Sequence, residues 1–146
     1  MRKLVAAACA AIVIASAGFA MAASDLGKQR EADMKAIGGA LKAASGFATG
    51  KEAFDPAAAK AAMETIAAKA TEFPTLFPEG SEKADGAASP KIWENKADFE
   101  AHAAKLATDA KAAATAADSG AEAFKTAFGT VAANCKSCHQ LYRLSD

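Results

Sequence analysis

Three residues near the C-terminus have side chains whose types and spacing could do chemistry. Cys135 and Cys138 lie three positions apart in the stretch N-C-K-S-C-H-Q, and His139 follows the second cysteine directly. Such a group is typical of a redox dithiol, of part of a zinc site, or of a covalent haem anchor. The rest of the chain has to distinguish these three possibilities.

The N-terminus predicts a secretory signal peptide. A basic start, M-R-K, precedes an apolar run of about 16 residues, and small residues follow at Ala20 and Ala22. The run is shorter than the roughly 20 residues that a membrane-spanning helix needs. We expect cleavage after Ala22, which also removes Cys9. The mature protein is then one domain, residues 23–146, exported to the periplasm without a membrane span.

The composition excludes nucleic acid as a partner and indicates a core with few large apolar side chains. After removal of residues 1–22 the chain has 15 basic and 17 acidic residues, a net charge of −2, so there is no basic surface for nucleic acid. The same part contains 35 alanines but only 21 Val, Ile, Leu, Met, Phe, Trp and Tyr residues. Alanine favours helix and buries little area, so helices form readily while the core stays poorly filled.

Apolar residues recur at spacings of three and four, which predicts helices throughout. The first helix is expected from about Asp25 to Phe47. The second starts at Pro56, with Asp55 as its cap. The inward-facing residues of these two helices are Arg30, Met34, Ile37, Leu41 and Ala44, and then Ala59, Met63, Ile66, Ala70 and Phe73.

A long irregular connection, Thr75 to Ser89, separates these helices from two more. The third helix is expected to follow from P-K-I-W with Phe99, Ala103, Leu106, Ala110 and Ala113 inward. The fourth opens at Ser119 with a capping box to Glu122, and its inward residues are Phe124, Phe128, Val131, Cys135 and Tyr142. Two short links and one long link favour an all-α fold, an antiparallel four-helix bundle.

A haem anchor explains the cysteine pair better than its rivals do. A redox dithiol belongs at the start of a helix in a strand-helix-strand setting, whereas this pair lies late in a helix. Zinc needs four ligands, and the only other histidine is His102. A disulfide across three helical residues is awkward and leaves His139 unexplained. A haem would also fill the space that alanine faces leave empty.

Four stretches of the mature chain resemble the cytochrome c-prime family, the class II c-type cytochromes. They are Arg30 with M-K-A-I-G-G, F-P-T-L-F-P-E-G, S-P-K-I-W, and F-K-T-A-F-G followed by C-K-S-C-H-Q-L-Y-R. The resemblance implies a four-helix bundle with one covalent haem c, bound through Cys135 and Cys138. It also implies that His139 is the proximal iron ligand, that Arg143 lies on the proximal side, and that Arg30 lies near the propionates.

Met34 bears on the mechanism that the resemblance implies. In the c-prime branch an apolar side chain shields a five-coordinate iron that binds nitric oxide or carbon monoxide. In the low-spin cytochrome c-556 branch a methionine of the first helix is the sixth ligand, and the protein carries electrons. The sequence is most similar to the second branch, so Met34 is expected to bind iron. Gas binding at an open distal face is the alternative.

The chain is therefore expected to exchange single electrons with periplasmic redox proteins and to turn over no substrate. Met63 is interpreted as core and His102 as a surface or edge histidine. Many relatives are homodimers that pair through their first two helices, and the small residues Ala40, Ala43 and Ala44 would permit close approach there.

Overall fold

Helices make up most of the computed structural model, which describes residues 12–144 of the chain and the side chains of residues 25–144. The described helices are α1 (Ile12–Ala48), α2 (Pro56–Glu72), a short α3 (Lys91–Glu94), α4 (Lys96–Ala117) and α5 (Ala121–Tyr142). A single 3₁₀ turn, Phe73–Leu76, follows α2. The four long helices form a ring of contacts in which α1 and α4 each touch both α2 and α5. The predicted four-helix bundle is confirmed.

The first helix is longer than predicted. It begins at Ile12 instead of about Asp25 and continues to Ala48, so it runs through the expected cleavage point after Ala22. Residues 1–11, which hold the start of the expected signal peptide, lie outside the described part. None of the described helices is long and apolar enough to cross a membrane.

The cap of α2 matches the prediction. Asp55 has an extended backbone, and its carboxylate accepts a hydrogen bond from the N–H of Ala58 at 3.0 Å. Pro56 occupies the first helical position, where its missing N–H costs nothing. Local chemistry therefore determines this helix start.

The predicted capping box of the fourth helix is wrong. The cap position of α5 is Gly120, and no side chain caps this end. The N–H of Ser119 donates to Ala116 O at the end of α4, so Ser119 belongs to the preceding turn. Gly120 has φ 102°, a conformation that residues with a Cβ rarely adopt, and this glycine makes the sharp reversal between the helices.

The third predicted helix is divided into α3 and α4. Asn95, with φ −130° and ψ 51°, interrupts it. The residues on either side both bond to the preceding connection: Trp93 Nε1 donates to Pro78 O at 3.0 Å and Lys96 Nζ to Phe77 O at 2.8 Å. The break thus attaches the start of α4 to the connection that leads into it.

Buried residues form two clusters of unequal size. The larger one fills the end of the bundle that includes the α1–α2 and α4–α5 links, with Met63, Ile66, Phe124 and Val131 all 0 % exposed. Ala44, expected to permit a dimer contact, is also 0 % exposed inside its own bundle and therefore cannot serve that purpose. The smaller cluster lies at the other end and comprises Leu76, Phe77, Ile92, Phe99 and Tyr142.

Candidate functional site

A cavity of about 780 Å³ opens beside the smaller cluster, between α1, α4, α5 and the connection after α2. Its lining is mostly apolar. All six residues that the sequence nominated lie in the lining: Arg30, Met34, Cys135, Cys138, His139 and Arg143. The volume is in the range of pockets that hold a small molecule or cofactor. Residues that are more than 100 positions apart in the sequence therefore line the same cavity.

The two thiols are free and half-buried on the cavity side of α5. Their spacing of three residues puts both on the same side of the helix. Burial raises the pKa of Cys135, and burial together with Cys135 and Asp98 raises the pKa of Cys138 to about 11. A redox dithiol requires the opposite, a lowered pKa that favours the thiolate. The thiol chemistry of this site therefore argues against the dithiol interpretation.

His139 contributes a neutral imidazole to the same wall. Desolvation, and then the positive charge of Arg143, lowers the pKa of His139. A neutral ring has a free nitrogen lone pair, which is the form that binds a metal. Arg143 lies one turn further along, at the end of α5, where its N–H donates to His139 O at 3.1 Å. Both side chains are exposed at the edge of the cavity.

Met34 lies on the α1 side of the cavity. Its side chain is half-buried and packs against the larger core cluster. A thioether is a soft, uncharged ligand, and it meets the cavity from a different helix than the imidazole does. By contrast, Met63 is fully buried in the larger cluster, as expected of a core residue.

Arg30 has protein partners that the sequence did not indicate. The side chain is 3 % exposed, and its guanidinium bonds to Leu76 O, Ser81 and Asp85. It also lies 4.1 Å from the centre of the Phe77 ring. A propionate contact for Arg30 stays a prediction, and it would have to be made by a guanidinium that already has these partners.

The sequence did not indicate a role in the site for three further polar residues, Asn134, Tyr142 and Asp85. Asn134 Nδ2 donates to Asp109 at 2.7 Å and joins α5 to α4 directly before Cys135. The Tyr142 hydroxyl donates to Asp98, and this bond, with burial, raises the pKa of Tyr142 to about 12. Asp85 pairs with Arg30 at 2.8 Å. These contacts depend on which helix faces meet, so a single sequence carries little signal for them.

His102 lies closer to the site than expected. It is half-buried in the cavity lining, where its ring centre is 5.8 Å from that of Tyr142 and its Nε2 is 3.6 Å from Asp98. Within residues 12–144, no three His, Cys, Asp or Glu side chains are grouped so that they could hold a metal ion. The described part therefore offers the zinc interpretation no additional ligands.

The donor set of the cavity fits a haem. Two thiols on one side, an imidazole next to them, a thioether from a facing helix and an apolar lining are the groups that such a cofactor needs. The fold and this chamber define a helical-bundle protein built around a large apolar cofactor.

The comparisons with known proteins identify the family. Residues 25–143 match the family model described as Cytochrome C'. Cytochrome c-556 of Agrobacterium fabrum (strain C58 / ATCC 33970) is 47% identical over 128 residues, 88% of this chain and 86% of the relative. Cytochrome c' of Rhodopseudomonas palustris (strain ATCC BAA-98 / CGA009) is 41% identical over 145 residues, 97% of each chain.

Solved structures of cytochromes c' have the same fold as this chain. Cytochrome c' from Rhodopseudomonas palustris superposes with a TM-score of 0.78 at 38% identity, covering 84% of this chain and 98% of that one. A nitric oxide complex of a mutant cytochrome c prime from Alcaligenes xylosoxidans gives 0.78 at 26% identity, covering 85% and 97%. The chain belongs to the cytochrome c' family. Proteins of this family carry one covalent haem c per chain, and this chain is a c-type cytochrome.

Proposed function

We propose that this protein is a periplasmic one-electron carrier whose haem is bonded to Cys135 and Cys138 and ligated by His139 and Met34. The observation that carries the proposal is that a thioether from α1 and an imidazole from α5 line one apolar cavity. When bound, the haem supplies an iron that changes between ferric and ferrous states and so carries one electron.

Each residue of the chain has a defined part in this proposal. The raised pKa values of Cys135 and Cys138 keep both thiols protonated and uncharged in the apolar lining, and their two sulfurs would hold the haem covalently. His139 is held neutral, so its lone pair is available to the iron. Met34 would hold the iron through a neutral sulfur, which favours the reduced state and leaves no position for a small ligand. The apolar lining keeps water from the cofactor.

The alternative is a five-coordinate haem that binds nitric oxide or carbon monoxide. Among the relatives it is favoured by the nitric oxide complex of a mutant cytochrome c prime from Alcaligenes xylosoxidans and by the 41% identity to a protein named cytochrome c'. The electron-carrier proposal is favoured by Met34 on the cavity wall and by the 47% identity to a protein named cytochrome c-556.

Carbon monoxide binding to the reduced holoprotein distinguishes the two. We expect the wild-type protein to have a low-spin spectrum and to bind carbon monoxide slowly, because Met34 has to leave first. Met34→Ala should be high-spin and bind carbon monoxide at least about tenfold faster, which corresponds to roughly 1.4 kcal/mol. Met63→Ala is the matched control, a core methionine outside the cavity lining, and should keep the low-spin spectrum.

If the wild-type protein binds carbon monoxide as fast as Met34→Ala does, the gas-binding function replaces the electron-carrier function.

The proposed export of the protein is tested by a separate measurement. Mass spectrometry of the mature protein should give a chain that starts at Ala23 and carries one haem; an intact N-terminus would contradict the proposed cleavage.

A further inference from the structure

Residues 76–89, which we call the strap, cross from α1 to the C-terminal end of α5. At the α1 end the strap is held by Arg30, which is almost completely buried. Its Nε and Nη2 donate to Leu76 O at 3.0 and 2.9 Å, and Nη2 also donates to Ser81 Oγ at 2.6 Å. One turn earlier on α1, a Cβ on Gly27 would lie 2.1 Å from Ala84 O. The strap therefore lies directly against the α1 backbone.

Asp85 occupies the middle of the strap and uses its two oxygens in different directions. Oδ2 accepts from Arg30 Nη1 at 2.8 Å, which connects it to α1. Oδ1 accepts from the backbone N–H groups of Ala87 and Ala88 at 2.9 and 2.8 Å, which shapes the next turn of the strap. One carboxylate thus connects α1 to the second half of the strap.

The other end of the strap pairs with the end of α5. Ser89 N donates to Tyr142 O at 3.0 Å and Leu144 N donates to Ala87 O at 2.8 Å. Ala88 and Arg143 form an isolated antiparallel bridge between these two bonds. Of the two residues whose N–H groups donate to Asp85, Ala87 bonds to Leu144 just after α5, and Ala88 lies opposite Arg143 in the bridge.

The two helices that the strap joins carry the two proposed axial ligands. Arg30 lies one turn before Met34 on α1, and Tyr142 lies close to one turn after His139 on α5. We propose that Asp85 is a positioning residue, which acts through the strap to hold α1 against α5 and so keeps Met34 on the iron. The inference rests on the proposed function, because it requires that Met34 is a ligand.

Asp85→Asn in the holoprotein tests this directly. Asparagine retains an oxygen that can accept from Ala87 and Ala88 but loses the charge that pairs with Arg30. We expect a partly high-spin ferric spectrum and carbon monoxide binding to the reduced protein about tenfold faster than in the wild type, because a charge-assisted hydrogen bond that holds α1 is lost. Amide exchange at Ser89 and Leu144, whose N–H groups donate between the strap and the end of α5, should also accelerate.

Asp118→Asn is the matched control. Asp118 pairs with Lys60 at 2.8 Å between α2 and the end of α4, outside the strap and the cavity lining. Loss of the ion pair between Asp118 and Lys60 should leave the spectrum and the rate of carbon monoxide binding unchanged. If Asp85→Asn lowers the melting temperature but keeps the wild-type spectrum and rate, Asp85 is merely structural and the inference is wrong.

Two further variants keep the outcomes separate. Met34→Ala must bind carbon monoxide faster than the wild type; if it does not, the proposed function fails and the inference fails with it. If Asp85→Asn does not fold, Asp85→Ser decides, because a hydroxyl can still accept from the N–H groups of Ala87 and Ala88 but carries no charge to pair with Arg30. A folded Asp85→Ser protein should also bind carbon monoxide faster than the wild type, and a wild-type rate there would overturn the inference.

Discussion

At the scale of single residues, the reactive groups that line the apolar cavity or its edge are uncharged. Cys138, with a pKa of about 11, and His139, with a lowered pKa, are both neutral near pH 7. The C-x-x-C-H spacing was sufficient to nominate these side chains, because residues that are three positions apart on a helix lie on the same side of it. Spacing could not nominate Asp85, because its partner Arg30 is 55 residues away and the two meet only after the strap has folded.

The Asp85–Arg30 pair predicts a specific loss of stability in acid. Burial acts to raise the pKa of Asp85, but hydrogen bonds from Arg30 and from the N–H groups of Ala88 and Ala87 lower it overall. A lowered pKa in the folded state means that the stabilisation is complete above the unfolded value of about 4 and disappears as the pH falls below it.

Thermal unfolding of wild type and Asp85→Asn between pH 2 and pH 7 measures this effect. The wild type should melt at a higher temperature at neutral pH, and the difference should shrink below about pH 4. The Lys105–Asp109 pair is a second ion pair with which this pH dependence can be compared. The pKa of Asp109 is also lowered, first by Lys105 and then by Asn134. A difference that stays constant down to pH 2 would contradict the assigned charge on Asp85.

At the scale of helices, local signals succeeded where one residue alone determines the conformation. Asp55 with Pro56 predicted the start of α2 correctly, because the cap and the fixed φ act on neighbouring backbone groups. Ser119 gave an equally good signal and was wrong, because its N–H belongs to the last turn of α4. The break at Asn95 was not predicted, since Trp93 and Lys96 on either side of it bond to Pro78 and Phe77 in the preceding connection.

These two cap sequences provide a matched pair of variants. Asp55→Ala should destabilise the protein by about 1 kcal/mol through loss of the hydrogen bond to Ala58. That corresponds to a melting temperature lower by roughly 3–6 °C for a domain of this size. Ser119→Ala should leave the melting temperature within about 1 °C, since Ser119 caps no helix. Equal effects of both changes would mean that Ser119 caps α5 in solution.

At the scale of the whole molecule, the bundle is dense at one end and hollow at the other. The largest fully buried side chains of the larger cluster, Phe124, Met63, Ile66 and Val131, lie away from the cavity. Alanine supplies many of the remaining buried positions on α4, at 103, 107, 110, 113, 114 and 117. Composition alone predicted this shortage of apolar volume, but the end of the bundle at which it lies depends on the chain packing.

Removal of the cofactor should therefore destabilise the protein strongly. A double variant, Cys135→Ala with Cys138→Ala, is expected to lack covalent haem and to melt at least about 10 °C lower, because the native state loses the apolar contacts that the cofactor would make in the cavity. Circular dichroism during heating measures this, and binding of an apolar dye reports the exposed cavity. Ser137→Ala, which lies between the two cysteines, is the control and should retain the haem and the melting temperature.

The position of the strap has a consequence for how the protein matures. Cys138 packs against the cluster of Phe77, Phe99 and Tyr142, and the strap lies across the end of the same helix. An enzyme that attaches a porphyrin would meet those sulfurs most easily while residues 76–89 are still undocked. Attachment of the prosthetic group should therefore precede docking of the crossing segment.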